Sequence, residues 1–206
     1  MINRILSLPV GIQQANIYFV ENGDGESIMI DCGLYDERVK YFIERNCIDV
    51  KCILLTHGHF DHIMGLNIAD NRPIDVYIGE KDAPMLNDES LNLAPYFGCK
   101  VPEIRYYKTV REGWYKIAGF DVKVIETPGH TSGSVCYLIE DRLFTGDTMF
   151  YNAYGRVDLP TGDMDMMFDS LKKLLELDDK VKVYPGHGDQ TTIKRERAFY
   201  SDMLDE

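Results

Sequence analysis

All five histidines of the chain lie in three short clusters, and each cluster follows a predicted strand. Three of them belong to Thr56-His-Gly-His-Phe-Asp-His62, directly after the run Cys52–Leu55. The other two are His130, in a Thr-Pro-Gly-His-Thr-Ser segment, and His187, in a Tyr-Pro-Gly-His-Gly segment. A short apolar run bounded by turn residues is typical of a buried strand. The chain must therefore fold so that several strands end beside one another, each followed by a metal-binding type of side chain.

Two aspartates complete a set of seven potential metal ligands. Asp61 lies inside the first cluster, and Asp147 follows a further apolar run in Leu-Phe-Thr-Gly-Asp-Thr. In an extended segment alternate side chains share a side, so His57 and His59 can reach one ion, while Asp61 and His62 can reach a second. Any one of these residues taken alone is more often a packing or turn residue, and Asp147 especially so. Seven ligands are what two first-row metal ions need with a shared water, so the set predicts a binuclear metal-dependent hydrolase.

The amino-acid composition restricts the classes of partner that we expect for the chain. The 206 residues include 34 acidic and 22 basic side chains, which give a formal charge of -12 and disfavour nucleic acid as a partner. The five cysteines are widely spaced without a Cys-x-x-Cys pair, which indicates a reducing compartment, so we expect a cytoplasmic protein. Pro9 and the polar residues that follow it interrupt the apolar segment at the start of the chain, so we expect no signal peptide and no membrane partner. Nothing in the pattern predicts an oligomeric state.

Predicted strands and helices alternate along the chain, and the clusters lie at strand ends. Ile2–Leu8, Ile17–Val20 and Ser27–Ile30 predict an antiparallel sheet at the N-terminus. Apolar residues at helical spacing from Met164 to Leu175 predict an amphipathic helix, with Asp163 as its N-cap. We expect one α/β domain over residues 1–206. Residues 87–102 mix polar residues with prolines and a glycine, which predicts an excursion that could form a lid.

The motifs together resemble those of the metallo-β-lactamase superfamily, in the branch that contains glyoxalase II. The stretches Thr56–His62, Thr127–Ser134, Phe144–Thr148 and Tyr184–His187 occur in the family's order. The resemblance implies an α/β (α+β) fold, a four-layer αββα sandwich with the site at one edge of its two sheets. It also implies a division of the ligands: His57, His59 and His130 on the first metal, Asp61, His62 and His187 on the second, and Asp147 bridging both.

The chemistry that such a centre supplies is hydrolysis. Two cations that share a water lower its pKa and polarise the carbonyl under attack. We therefore expect a metal-bridging hydroxide as the nucleophile and Asp61 as the catalytic residue that orients it. Imidazole and carboxylate ligands suit zinc, iron and manganese alike, and we expect two divalent ions, zinc first.

Substrate contacts are expected in the loop after Asp147. Glyoxalase II has a helical segment after its last ligand that helps to hold glutathione, and residues 188–206 are short for such a segment. The pattern Gly155-Arg-x-Asp-Leu-Pro160 resembles short, single-domain relatives of that enzyme. Arg156, Tyr151 and Tyr154 are therefore candidate contacts for a carboxylate-bearing thiol arm. An ion pair with Asp158 or Asp163 explains the arginine equally well, and packing explains the tyrosines equally well.

Three functions remain open on the sequence. The first is hydrolysis of a small acyl thioester such as S-D-lactoylglutathione, because the signatures resemble the glyoxalase II branch. The second is an iron-dependent persulfide dioxygenase of the same fold, which uses one metal and part of the ligand set. The third is a metal-dependent scaffold or nucleic-acid processor, which the acidic composition disfavours. A β-lactamase is disfavoured by the missing signal peptide and by the complete His-x-His-x-Asp-His set.

Overall fold

Two six-stranded sheets pack against each other in the computed structural model, which describes residues 1–69 and 74–204. Across the first sheet the order is β1 (Ile2–Val10), β2 (Ala15–Asn22), β3 (Glu26–Ile30), β4 (Asp49–Leu55), β5 (Asp75–Gly79) and β6 (Lys108–Val110). Across the second it is β14 (Thr191–Thr192), β13 (Lys182–Pro185), β10 (Arg142–Gly146), β9 (Val135–Ile139), β8 (Phe120–Glu126) and β7 (Gly113–Ile117). A separate hairpin pairs β11 (Met149–Phe150) with β12 (Ala153–Tyr154).

Strand direction decides where the site forms. In the first sheet β1 to β3 are antiparallel, whereas β3 to β6 run parallel, so β3 and β4 end at the same edge. In the second sheet β9 is antiparallel to both β8 and β10, and β10 is parallel to β13. Strands β8, β10 and β13 therefore also end together. The carboxyl ends of such strands are where ligand sites gather in layered α/β folds.

Three apolar layers hold the sheets and helices together. Helix α1 (Glu37–Arg45) packs Val39 and Ile43 on the outer face of the first sheet, beside residues such as Met29. The second layer lies between the sheets and joins Ile28 and Leu54 to Val122. The third places α4 (Met164–Leu175) and α5 (Ile193–Leu204) on the outer face of the second sheet. The predicted four-layer αββα sandwich is confirmed.

Side-chain caps fix where the main helices begin. The Asp36 carboxylate accepts a hydrogen bond from the backbone N–H of Val39 at 3.0 Å, and Asp163 caps α4 in the same way at the N–H of Met166. The Asp163 cap was predicted from the sequence, and it is confirmed. The N–H of Asp163 also donates to the carbonyl of Gly129 at 2.8 Å, which ties the start of α4 to the loop that carries His130. Among the described helices, none combines the length and apolarity that crossing a bilayer requires.

Residues 87–102 form two short helical segments at the edge of the molecule. They are α3 (Glu89–Asn92) and a 3-10 helix over Ala94–Phe97. Leu93 and Ala94 are buried against Phe60, which lies on the short helix α2 (Phe60–Ile63) of the first histidine cluster. The segment thus packs beside that cluster, and its movement as a lid stays a prediction. The sequence pattern did not predict β6, β12 or β14, because two or three residues carry too little periodicity.

The cap on α4 can be tested by Asp163→Ala. Loss of the capping bond to Met166 should lower the free energy of unfolding by about 1 kcal/mol. Urea denaturation followed by far-ultraviolet circular dichroism measures this change. Asp169→Ala removes the same charge from an exposed position within the helix and is the control. An equal loss in both variants would contradict the capping role.

Candidate metal centre

The ends of four strands bring all seven ligand-type side chains together. Their positions are His57 and His59 after β4, Asp61 and His62 on α2, His130 after β8, Asp147 after β10 and His187 after β13. The histidine and aspartate atoms form three groups in which every ligand atom lies within 4.8 Å of the others. These groups are His57, His59 and His130; His57, His62 and Asp147; and Asp61, His62 and His187. The first and third groups are the two trios that the resemblance implies.

Asp147 lies between the two trios. Its Oδ2 atom is 3.5 Å from the Nε2 atom of His130 in one trio and 3.5 Å from the Nε2 atom of His187 in the other. Gly186 allows this approach, because a Cβ atom there would lie 2.3 Å from Oδ1 of Asp147. The His187 loop can therefore come this close only with glycine at position 186. The position suits a carboxylate that bridges two ions, which is the role expected for Asp147.

Backbone carbonyls orient two of the rings. The Nδ1 atom of His130 donates to the carbonyl of Arg156 at 2.7 Å, and that of His187 donates to the carbonyl of Gln13 at 3.1 Å. Because a neutral imidazole with its proton on Nδ1 carries a lone pair on Nε2, each ring in that form directs the lone pair of its Nε2 atom towards the centre. Metal-binding histidines in proteins are commonly held in this way by a partner on their other nitrogen.

The carboxylate of Asp31 orients two more rings. Its Oδ2 atom accepts from Nδ1 of His62 at 2.8 Å and from the hydroxyl of Thr56 at 2.8 Å, and Oδ1 accepts from the Thr56 N–H at 2.7 Å. Since the Thr56 hydroxyl gives its proton to Asp31, it must accept from Nδ1 of His57, which lies 3.1 Å away. One buried aspartate therefore sets the orientation of His62 directly and that of His57 through Thr56.

The titration of His57, His59, Asp61 and Asp147 matches what a metal requires. Burial lowers the pKa of His57 and lowers that of His59 to about 3, so both rings remain neutral. Burial also lowers the pKa of His62, but the surrounding carboxylates outweigh it and leave the pKa raised. For Asp61 and Asp147, burial raises the pKa, but the His62 charge outweighs it and leaves both pKa values lowered. Ionised carboxylates and neutral imidazoles are the forms that bind divalent ions, so His62 must give up a proton when it binds one.

Unpaired polar atoms show that the cluster fits a metal ion. The Nε2 atoms of His57 and His59 and the Oδ1 atom of Asp147 are buried and have no hydrogen-bond partner among the described residues. A buried polar atom without a partner costs roughly 1–3 kcal/mol, so proteins seldom retain one without a reason. Divalent metal ions accept both imidazole nitrogen and carboxylate oxygen. Residues that leave such donors free around one centre can therefore hold metal there.

A pocket of about 270 Å³ opens over the centre. Five ligand-type residues form its floor: His59, Asp61, His130, Asp147 and His187. Its walls are largely apolar and comprise Phe60, Leu93, Phe97, Phe150 and Leu159, with Gln13, Gly155 and Arg156 completing the lining. The rings of Phe60 and Phe97 stack with centroids 4.5 Å apart. A small molecule can therefore reach the ligand cluster between apolar walls.

Comparison with known proteins agrees with this geometry. The model of the metallo-beta-lactamase superfamily matches residues 10–187. The hydroxyacylglutathione hydrolase GloC of Haemophilus influenzae is 30% identical over 201 residues, which cover 92% of this chain and 93% of the relative. The chain belongs to the metallo-β-lactamase superfamily. The superfamily is one of metal-dependent hydrolases, which agrees with the hydrolase predicted from the histidine clusters.

Solved structures of superfamily proteins show the same fold. The BLEG-1 B3 metallo-beta-lactamase superposes with a TM-score of 0.91 at 32% identity, covering 98% of this chain and 100% of that one. TTHA1623, solved in a di-iron-bound form, gives a TM-score of 0.84 at 32% identity, covering 93% and 96%. Relatives of comparable identity thus include a hydroxyacylglutathione hydrolase and a B3 metallo-beta-lactamase, so the superfamily spans more than one substrate class at this level of similarity.

The three candidate substrate contacts of this superfamily member lie in different surroundings. Arg156 lines the pocket, as a candidate substrate contact should. Its guanidinium also makes two hydrogen bonds of 2.7 Å to Asp158, so the ion pair that was the alternative explanation is present as well. Tyr151 contacts Arg195, which lies over its ring at 4.3 Å. The Tyr154 hydroxyl faces the sulfur of Met164. Neither tyrosine is among the described residues that line the pocket, and substrate contact by either stays a prediction.

Several residues that shape the site were not singled out from the sequence. Asp31 could have been found, because it follows the apolar end of β3 as the ligands follow their strands. Gln13 acts through its backbone carbonyl, which leaves no trace in residue type. Arg156 was singled out for its side chain, but the role of its carbonyl in holding His130 was not predicted for the same reason. The pocket wall residues Leu93 and Phe97 belong to the segment 87–102. The sequence predicted that this segment leaves the core, but not which of its residues contact the site.

Metal binding should be visible in thermal stability. Chelation of a protein purified with metal should lower its melting temperature, and Zn²⁺, Mn²⁺ or Fe²⁺ should restore it. A ligand at 100 times its Kd stabilises a fold by about 2.7 kcal/mol. Differential scanning fluorimetry with elemental analysis measures both effects. The double variant His59→Ala/His62→Ala, which lacks a ligand from each trio, should respond weakly. An unchanged melting temperature of the parent protein would contradict a metal centre.

Proposed function

We propose that this protein is a thioester hydrolase that uses two divalent metal ions to cleave a small acyl thioester such as S-D-lactoylglutathione. The observation that carries the proposal is a pair of complete ligand trios joined by Asp147 at the floor of an open pocket. The likeness to the GloC hydroxyacylglutathione hydrolase supports a thioester as the substrate class. The di-iron form of TTHA1623 supports two ions and leaves zinc, iron and manganese as candidates.

When bound, two such ions lower the pKa of a shared water and polarise the carbonyl of the substrate. His57, His59 and His130 would hold one ion, and Asp61, His62 and His187 the other, with Asp147 between them. The hydrogen bonds to ring nitrogens keep the lone pairs of these histidines directed inward. The residues therefore supply a preorganised, electron-donating frame whose geometry needs no rearrangement during reaction.

Asp61 is the residue that we assign to the reacting water. It lines the pocket, and its Oδ2 atom lies 3.4 Å from Nε2 of His187 and 3.8 Å from Nε2 of His62. Its lowered pKa keeps the carboxylate ionised, so it can accept a hydrogen bond from the nucleophilic water and fix its direction. The apolar residues Phe60 and Phe97 exclude bulk water from one side of the same space.

A second candidate activity is hydrolysis of β-lactams. The likeness to the BLEG-1 B3 metallo-beta-lactamase favours it, and the chemistry is the same attack of a water on a carbonyl carbon. The predicted alternative, an iron-dependent persulfide dioxygenase, needs one metal and part of the ligand set. These three activities differ in products, so a single set of assays separates them.

The decisive measurement combines elemental analysis with a substrate panel. S-D-lactoylglutathione, a short alkyl thioester, a β-lactam and glutathione persulfide would be tested with protein of known metal content. We expect thioester cleavage, seen as thiol release, with two metal ions per chain. One iron per chain with oxygen uptake and sulfite formation would instead identify a dioxygenase, and turnover of the β-lactam alone would identify a lactamase.

The role of Asp61 can be separated from simple metal binding by Asp61→Asn. The amide keeps the size and one oxygen of the side chain but loses the charge that orients water. We expect kcat to fall by about 10²-fold or more while both metals are retained. Asp75→Asn, which neutralises an exposed carboxylate paired with Lys108, is the matched control. Unchanged kcat in Asp61→Asn would refute the orienting role.

Arg156 is tested by Arg156→Ala with an acidic and a neutral thioester. If the guanidinium leaves Asp158 to bind a substrate carboxylate, KM for the acidic thioester should rise several-fold with kcat preserved. The backbone carbonyl that holds His130 is untouched by this change. Arg111→Ala breaks a similar exposed pair with Glu80 and serves as the control. Equal KM changes for both substrates would rule out carboxylate recognition by Arg156.

A further inference from the structure

A second buried carboxylate contacts the metal loops without being a ligand. Asp82 lies in the 3-10 segment Glu80–Leu86 that follows β5, and its exposure is 0%. Its Oδ2 atom accepts from the N–H of Gly58 at 3.0 Å and from the hydroxyl of Thr131 at 2.6 Å. Its Oδ1 atom accepts from the N–H of Gly133 at 2.8 Å. Three donors thus converge on one carboxylate.

The three donors belong to the two loops that carry the first trio. Gly58 lies between His57 and His59, and Thr131 follows His130 directly. The bonds from Gly58 and Thr131 are therefore one residue away from a ligand, and the bond from Gly133 is three residues away from His130. The carboxylate itself touches no ligand ring in the described hydrogen bonds. Asp82 joins the loops from outside the centre, and it fixes the separation between the ligands that they carry.

The two loops also pack closely against the 3-10 segment that contains Asp82. A Cβ atom at Gly58 would lie 2.5 Å from Cβ of Met85, and one at Gly133 would lie 2.3 Å from the backbone nitrogen of Asp82. The backbone approaches are thus as short as glycine permits. Burying a carboxylate is costly unless it is fully hydrogen bonded, and all three bonds are directed at the metal loops.

Asp31 offers an internal comparison. It is also buried, but it accepts a hydrogen bond from His62, a member of the second trio, and it reaches His57 only through Thr56. Asp82 has no contact with the loop of His187 or with α2 among the described hydrogen bonds. The two carboxylates therefore act on different parts of the centre.

We propose that Asp82 is a positioning residue for the first metal trio, and that its loss weakens binding of the first ion in preference to the second. The inference rests on the two-metal centre of the proposed function and is independent of the substrate. A purely structural role for Asp82 would instead lower the stability of the whole fold and weaken both ions to the same extent.

The test is a metal titration of Asp82→Asn, which keeps the shape but replaces one acceptor oxygen by a donor that faces the N–H or O–H groups. Zn²⁺ would be titrated against a chromophoric chelator, and Co²⁺ would be followed by its visible spectrum. His130→Ala and His187→Ala supply reference spectra for loss of a ligand from the first and the second trio. We expect one zinc affinity to fall about 10- to 100-fold, and the Co²⁺ spectrum to match that of His130→Ala.

Three further variants, two at Thr131 and one at Glu80, keep the test decisive if Asp82→Asn does not fold. Thr131→Val removes one of the three donors at constant shape and should shift the same metal in the same direction, by less. Thr131→Ser keeps the hydroxyl and should restore the parent affinities. Glu80→Gln removes an exposed charge, paired with Arg111, from the same 3-10 segment and should change neither affinity.

Two results would overturn the proposal. One is equal weakening of both ions in Asp82→Asn and Thr131→Val, and the other is a Co²⁺ spectrum that matches His187→Ala. Because the readouts are metal affinity and spectrum, they stand apart from thioester turnover. A chain that binds two ions as expected but cleaves no thioester would contradict the proposed activity and leave this inference intact.

Discussion

The rest of the site depends on five strands that end at one edge of the two sheets and carry or orient the ligands: β3, β4, β8, β10 and β13. Parallel pairing of β3 with β4 and of β10 with β13 places Asp31 beside the first histidine cluster, and Asp147 beside the loop of His187. Strand β8 ends at the same edge as β10, because both are antiparallel to β9, which lies between them. The ligands therefore come from distant parts of the sequence but start from rigid sheet ends, which suits a site that must keep its geometry.

Buried hydrogen bonds convert that convergence into a defined centre. The loop of His187 is held from the first sheet by Asn16, whose N–H donates to Gly186 at 2.7 Å and whose amide donates to Pro185 at 3.1 Å. Asp31, at the end of β3, holds the loop of the first histidine cluster, and Asp82, in the turn after β5, joins that loop to the loop of His130. Because an unpaired buried polar group is costly, each of these bonds resists a shift of the loop that it holds. The first sheet thus positions ligands that the second sheet carries.

The apolar runs predicted most of the larger strands and the ligand set, because both depend on local pattern. Caps such as Asp163 were also predicted, since a cap acts within three residues. Asp82 could not be predicted, because its partners lie 24 to 51 positions away in the chain and nothing local marks it. Tyr151 was placed near the substrate from proximity to Asp147 in sequence, whereas the fold directs its ring to Arg195 on α5. Contacts between residues far apart in the chain cannot be predicted from local sequence spacing.

Arg156 shows how one position can serve two parts of the site. Its backbone carbonyl fixes the ring of His130, so the position is required for the frame whatever its side chain does. Its guanidinium is already paired with Asp158, and a substrate carboxylate must compete with that pair before it gains anything. The apolar wall with Phe60 and Phe97 offers contact without such competition. For the proposed substrate we therefore expect apolar burial to hold the arm first, with charge recognition added only as far as Asp158 releases the arginine.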